Sequence, residues 1–204
     1  MSASSLYLEN QTIPDSALTT IDSYPNCTLI EGTYQIANAI YTIALHNVTT
    51  EAQPFLYTFA DFSHPYASIF FKPLYHPAFQ SLHVKQLVEY QKTQIDGENY
   101  DNIHNIQILT NLLPSFAAFP GSFSVYFYYS ARNRFKQQAS AFPFYIITNT
   151  HVLLLSPSYE TAMLLSDPAI HAYYLKNYKQ ILTKSNTLTE GAQSPLELLD
   201  ALNK

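Results

Sequence analysis

Seven histidines, at positions 46, 64, 76, 83, 104, 151 and 171, are the residues best suited to do chemistry in this chain. A metal site wants two of them at close spacing, as in His-x-His or His-Glu-x-x-His, so that both rings reach one ion. No such pair is present, and the single cysteine, Cys27, has no basic neighbour in sequence to hold it as a thiolate. A serine nucleophile on a strained elbow needs small residues on both sides, and the nearest string, Pro120-Gly-Ser-Phe-Ser-Val125, lacks the second glycine. With 4 glycines in the whole chain there is no Gly-rich cradle for phosphate. Glu89, Asp96, Glu98 and Asp101 lie in a polar stretch that reads as solvated surface. What remains is aromatic. His64 and His76 flank a Pro- and Tyr-rich loop with Tyr66 and Tyr75, and Tyr57, Tyr126 and Tyr128 sit in aromatic runs elsewhere. These seven residues are the expected ligand-binding set; no catalytic residue, metal ligand or cofactor is assigned.

His83-Val-Lys85 resembles the start of the His-x-Lys-x4-Asp signature of phospholipase D-like phosphodiesterases. In that family the histidine attacks phosphorus and the lysine holds the phosphate. The place of the aspartate is taken by Tyr90, Glu89 is one residue out of place, and no second copy of the motif exists. A phospholipase D-like fold without its catalytic motif, or an enzyme of unrecognised type, therefore stands only as an alternative.

Composition narrows the class. Hydrophobic residues make up 47% and charged residues 12%, against roughly 25% charged in an average soluble domain. No apolar run approaches the ~20 residues that span a bilayer, and the N-terminus carries no basic region followed by an apolar one. A soluble cytoplasmic protein with no membrane partner is expected. One cysteine excludes an intramolecular disulfide. The triplets Asn10-Gln-Thr12, Asn26-Cys-Thr28 and Asn47-Val-Thr49 match the glycosylation pattern, and in a chain this rich in Asn and Thr they read as coincidence. The formal charge of −5, with one basic cluster at Arg132, Arg134 and Lys136, argues against nucleic-acid binding by this chain alone. The cluster reads as a solvated hairpin loop. The 17 tyrosines and 13 phenylalanines suit a pocket or a subunit interface, and equally a β-rich core.

These residues must be positioned by elements of mixed type. Residues 1–30 read as an arm, with a short ordered piece at Ser5 to Leu8. Ile36, Ala39, Ile40, Ile43 and Ala44 recur at helical steps within Gly32 to Ala44. Pro54 to Ala60, Ala67 to Phe71 and Phe123 to Tyr129 read as strands. Leu82 to Tyr90 fits strand or helix, and the alternation of Leu82, Val84, Gln86 and Val88 favours strand. A loop lies around Pro73 and Pro77 and a turn at Asp96-Gly97. Asn99 to about Leu113 reads as a helix, capped by Asn99 or Asp101. Its apolar stripe is Ile103, Ile106, Leu109 (or Gln107) and Leu113, and Pro114 kinks or shortens it. Phe144 to Thr148, a turn at Asn149-Thr150 and His151 to Leu155 form a strand–turn–strand unit, followed by Thr161 to Leu165. Ser166 or Asp167 caps a helix that begins near Pro168 and buries Ile170, Tyr173, Tyr174, Tyr178, Ile181 and Leu182. Ser185 to Ser194 reads as a polar linker and Pro195 to Leu202 as a short helix. The sum is an α+β (or open α/β) fold, a single mixed sheet of about six or seven short strands with three or four helices. The expected organisation is an arm (1–30), a sensing domain (31–185), and a linker with a C-terminal helix (186–204).

The segment Pro143-Phe-Tyr-Ile-Ile-Thr-Asn-Thr-His-Val-Leu-Leu-Leu-Ser156, then Thr161-Ala-Met-Leu-Leu-Ser-Asp-Pro168 and the helix after it, resembles the end of a sensing domain. Similar segments follow the DNA-binding part of helix-turn-helix transcriptional regulators of Gram-positive, clostridial-type bacteria. Leu113 to Tyr129 fits the same pattern, and the resemblance covers about half the chain. It implies a non-enzymatic regulatory domain that binds a small-molecule effector and forms a homodimer; an aromatic protein-interaction module is the alternative. The chain departs from such regulators in showing no helix-turn-helix, because the Pro-broken stretch before the first helix is too short to hold one.

Overall fold

In the computed structural model, residues 26–91, 94–95, 98–99, 103–119, 122–130 and 140–190 are described, and the runs rich in Tyr, Phe, Val and Ile pair as strands. In chain order these are β1 (Cys27–Glu31), β2 (Phe55–Phe59), β3 (His83–Gln91), the short pair β4 (Gln94–Ile95) and β5 (Glu98–Asn99), β6 (Phe123–Ser130), β7 (Phe144–Ile147), β8 (Val152–Leu155), β9 (Thr161–Leu165) and β10 (Asn186–Glu190). Eight of them form one mixed sheet in the order β1-β9-β8-β7-β2-β3-β6-β10. The β2-β3-β6 segment is parallel and every other pairing in that sheet is antiparallel. Four helices, α1 (Thr33–Thr50), α2 (Pro65–Phe71), α3 (Ile103–Ala118) and α4 (Pro168–Leu182), complete an α+β fold.

Helix α1 starts after Gly32, whose φ of 93° is a conformation that L side chains rarely adopt. Its Ile36, Ala39, Ile40, Ile43 and Ala44 are buried, as the helical spacing requires. Near its end Asn47 is buried and donates from Nδ2 to the Phe55 carbonyl (2.8 Å), while its Oδ1 accepts from the Asn149 backbone N–H (3.2 Å). The Asn149 side chain in turn accepts from the Phe55 N–H (3.0 Å). Asn47 is thus committed to internal bonds, and the Asn47-Val-Thr49 triplet is no glycosylation acceptor.

Strand alternation assigns the two faces of the sheet. Phe123 of β6 meets Phe116 of α3 edge to face at 4.8 Å, and Phe123 aligns with Val84, which aligns with Leu56. Those residues face the layer of α1, α2 and α3. Tyr57 stacks on Tyr178 of α4 at 5.3 Å, so Tyr57, Lys85, Glu89, Tyr126 and Tyr128 face α4. On the three-helix side, the buried Thr58 hydroxyl donates to Gln86 Oε1, and Gln86 Nε2 donates to the Leu87 carbonyl (2.9 Å), so this polar pair is satisfied inside the core.

Several expectations are corrected. Ala67 to Phe71 is not a strand but most of α2: Ala67, Phe70, Phe71 and Leu74 are all buried, a helical spacing that no alternating strand can bury on one side. The loop expected around Pro73 and Pro77 folds as two 3-10 turns, Lys72–Tyr75 and Pro77–Phe79. Helix α3 passes through Pro114 to Ala118 and turns a different stripe inward. Ile108, Leu112, Ser115 and Phe116 are buried, whereas Ile103 and Ile106 are 54% and 57% exposed. Asn99 belongs to β5 rather than to the helix cap. Cys27 to Ile30, expected in an arm, pairs with β9 as part of β1, and Asn186–Glu190, expected in a linker, pairs with β6. Ile170 and Tyr173 of α4 are exposed. The ordered piece at Ser5 to Leu8, the Asp96-Gly97 turn, the Arg132 loop and the helix at Pro195 to Leu202 fall outside the described residues.

The α3 register is tested by urea unfolding. Leu112→Ala is expected to lower stability by about 2–5 kcal/mol, and Ile106→Ala to change it by no more than about 0.5 kcal/mol. The reverse ranking would restore the stripe read from the sequence.

Candidate functional site

The α4 side of the sheet carries a continuous tyrosine surface. Asp167 starts α4 by accepting from the Ala169 and Ile170 N–H groups at 2.9 Å, with Pro168 in the first turn. From that start the helix lays Tyr178 against the sheet, where its hydroxyl donates to the Lys85 carbonyl (2.7 Å). Lys85 points between two rings, its ammonium 5.7 Å from the Tyr57 centroid and 5.9 Å from that of Tyr126. Farther along, Tyr128 donates to Glu89 (3.0 Å), and Tyr145 of β7 meets Tyr174 of α4 at 5.2 Å and 65°.

Between the second half of α4 and this surface lies an open groove of about 570 Å3. Tyr128, Tyr145 and Tyr174 supply its aromatic walls. Asn177, Gln180, Ile181, Lys184 and Ser185 line it from α4 and the turn that follows. Burial pushes the Tyr145 and Tyr174 phenols above their ordinary range, and for Tyr128 the Glu89 carboxylate adds to the effect of burial. All three are therefore neutral hydroxyls at physiological pH, able to donate and accept.

The expected ligand-binding residues fall in three places. Tyr57, Tyr126 and Tyr128 share the α4 face, and of these Tyr128 lines the groove. His64 and Tyr66 lie at the start of α2 on the other face. The His64 ring packs on Tyr66 (5.2 Å) and on Tyr159 (4.8 Å), and burial holds it below its ordinary pKa against the pull of Asp61 and Glu160. Tyr159 has a φ of 59° and places its hydroxyl 2.7 Å from the Asp61 N–H, which donates to it. Tyr75 is held under α3 by Ser115 (3.1 Å) and the edge of Phe119, and His76 is exposed and caps a 3-10 turn by accepting from Ala78 N–H (3.2 Å). His64 and His76 thus engage different neighbours. The groove residues of α4 and Tyr145 were not singled out as ligand-binding in the sequence. Their signal was the polar pair Asn177 and Gln180 beside the apolar stripe, legible only once the sheet supplied the opposite wall.

Two further constellations with histidines are present among the described residues. His83 and Lys85 share the α4 face, but Tyr90, in the place of the family's aspartate, is buried on the opposite face, because seven residues reverse the side in a strand. A histidine cluster joins α1, the β7–β8 turn and α4. His46 meets His151 at 5.9 Å, His151 Nδ1 lies 2.8 Å from the Thr150 hydroxyl, and His171 Nε2 lies 2.8 Å from the Thr148 carbonyl. Among the described residues no three His, Cys, Asp or Glu side chains are placed to hold a metal ion, and no helix is long and apolar enough to cross a membrane.

No protein-family model matches the sequence, and a search of characterised proteins finds no match. Comparison with solved structures finds similar chains. TrmBL2, an archaeal chromatin protein, is 13% identical with a TM-score of 0.50; the likeness covers 81% of this chain and 54% of that one, so the chain spans about half its length. The phospholipase D family member Nuc from Salmonella typhimurium is 12% identical with a TM-score of 0.44, over 79% of this chain and 97% of that one.

Burial, with the charges of His46 and His171, lowers the His151 pKa to about 4 from 6.5. The unfolded chain then takes up a proton between pH 6.5 and 4 that the folded chain refuses. The stability present above pH 6.5 is lost as pH falls through that window. Urea midpoints are expected to fall from pH 7 to pH 4.5, and to fall less in His151→Gln; an equal fall in both would assign the acid sensitivity elsewhere.

Proposed function

We propose that this chain is the non-enzymatic sensing domain of a transcriptional regulator, binding a small-molecule effector in the groove between α4 and the sheet. The observation that carries the reading is the groove itself, walled by three tyrosines and edged by carboxamides and a hydroxyl. In volume and in its aromatic walls the groove falls within the range of small-molecule sites, and it is open to solvent.

The position of α4 supports a signalling role. Its first turn is tied to the β7–β8 hairpin through His171 and Thr148, and its last turn leads directly into the edge strand β10. A ligand that wedges or clamps α4 therefore biases both the hairpin and the sheet edge. The resemblance of the C-terminal segments to regulator sensing domains supports the same reading. So does the sharing of a fold with about half of a chromatin protein that binds DNA. With a net charge of −5, DNA contact in such an assembly falls to another segment or subunit.

A second reading, a protein-interaction or homodimerising module, is favoured by α3. This helix contains no Asp, Glu, Lys or Arg, and it exposes Ile103, Ile106 and Leu113. Interface cores are depleted of charge in the same way.

Native mass spectrometry of the protein as purified separates these. An added mass that denaturation removes, and that Tyr174→Ala diminishes, is expected for the effector domain. A dimer of bare mass that Ile106→Lys dissolves would favour the interaction module, and a bare monomer at every concentration would overturn both.

A further inference from the structure

Resting on the effector-groove reading, we propose that the ligand is a purine nucleobase, free or as its nucleoside. Three features of the groove select this class. Tyr145 and Tyr174 meet edge to face at 65° with centroids 5.2 Å apart; Tyr145 is buried, so the half-buried Tyr174 ring is the phenol on which a flat ring would stack. Stacking on aromatic side chains is the sequence-tolerant part of base recognition.

Asn177 and Gln180 supply the second feature. They are three residues apart on α4, on neighbouring turns of one face, and both line the groove. Each carboxamide offers an acceptor oxygen beside an NH2 donor. That is the complement of the adjacent donor and acceptor on a purine edge, and it is wasted on an aliphatic or purely hydrocarbon ligand. The Tyr128 hydroxyl donates to Glu89, so its oxygen keeps acceptor capacity.

Charge is the third. Among the described residues Lys184 is the one charged residue lining the groove. It stands just beyond the C-terminal end of α4, where the partial negative charge of the helix carbonyls offsets it. Lys184 and the Glu89 carboxylate bonded to the Tyr128 hydroxyl carry opposite charges, which suits an uncharged base better than a nucleotide. A polynucleotide is disfavoured more strongly, since each phosphate held would need its own basic partner and, among the described residues, the groove offers Lys184 alone.

The test uses the full chain with its isoleucine methyl groups labelled, titrated with adenosine, adenosine monophosphate and phenol. Ile181 lines the groove and reports binding, while Ile43, buried in α1, reports that each variant is folded. Adenosine is expected to shift the Ile181 methyl saturably and at least as tightly as the monophosphate. Tyr174→Leu and Asn177→Leu are each expected to weaken it by about tenfold, with Ile43 unmoved. If phenol shifts Ile181 and adenosine does not, the groove stands and the purine assignment falls. If no probe shifts Ile181, both fall.

Discussion

The start of β2 is the point on which the fold hangs. This strand is the junction of the sheet, parallel to β3 on one side and antiparallel to β7 on the other. Two asparagines far apart in sequence fix it there. Asn47 at the end of α1 and Asn149 in the β7–β8 turn use their side chains on the Phe55 carbonyl and N–H, and on each other's neighbourhood through the Asn149 N–H. Asn47 is buried and Asn149 half-buried, so a shifted register would leave polar groups here poorly paired. Once β2 is in place, alternation sends Leu56 and Thr58 to the three-helix layer and Phe55, Tyr57 and Phe59 to α4.

The two faces are then used differently. The three-helix face is filled by phenylalanines and small aliphatic residues and closes as a core, with Phe70, Phe79, Phe116, Phe119 and Phe123 fully enclosed. Among the described residues, the other face has a single helix to cover it. Helix α4 buries Tyr178 completely, and its second half stands far enough from β6 to leave the groove. Tyrosine is suited to such a boundary, since its ring packs while its hydroxyl reaches a carbonyl, a carboxylate or water. The excess of tyrosine in the sequence is accordingly divided between structural bonds, such as Tyr178 to Lys85 and Tyr159 to Asp61, and the walls of an open site. Composition alone does not distinguish those uses.

Where local pattern and tertiary packing disagreed, packing prevailed. Helix α3 is apolar on more than one side, so its periodicity permits two inward stripes. The rings of Phe116 and Phe123, in contact at 4.8 Å, select the stripe that includes Ile108 and Leu112. In α2, aromatic residues with strand preference are held as a helix because the connection from β2 to β3 must cross over the sheet. The edge strands β1 and β10 were masked by their polarity: Thr28, Thr187 and Thr189 read as loop residues until a partner strand is present to accept them.

The sequence by itself determined the class and most of the elements. The α+β character, the strands Pro54 to Ala60, Leu82 to Tyr90 and Phe123 to Tyr129, the β7–β8 hairpin with its Asn149 turn and the Asp167-capped helix all follow from periodicity and capping, which are local. Tertiary structure decided which faces meet. The groove joins Tyr128 and Tyr145 to Tyr174 and Asn177 from strands and a helix that are distant in the chain. Their proximity depends on strand order and on the side to which each alternating residue points. Neither is encoded in any local window, because both are set by the satisfaction of buried backbone and amide groups across the whole sheet.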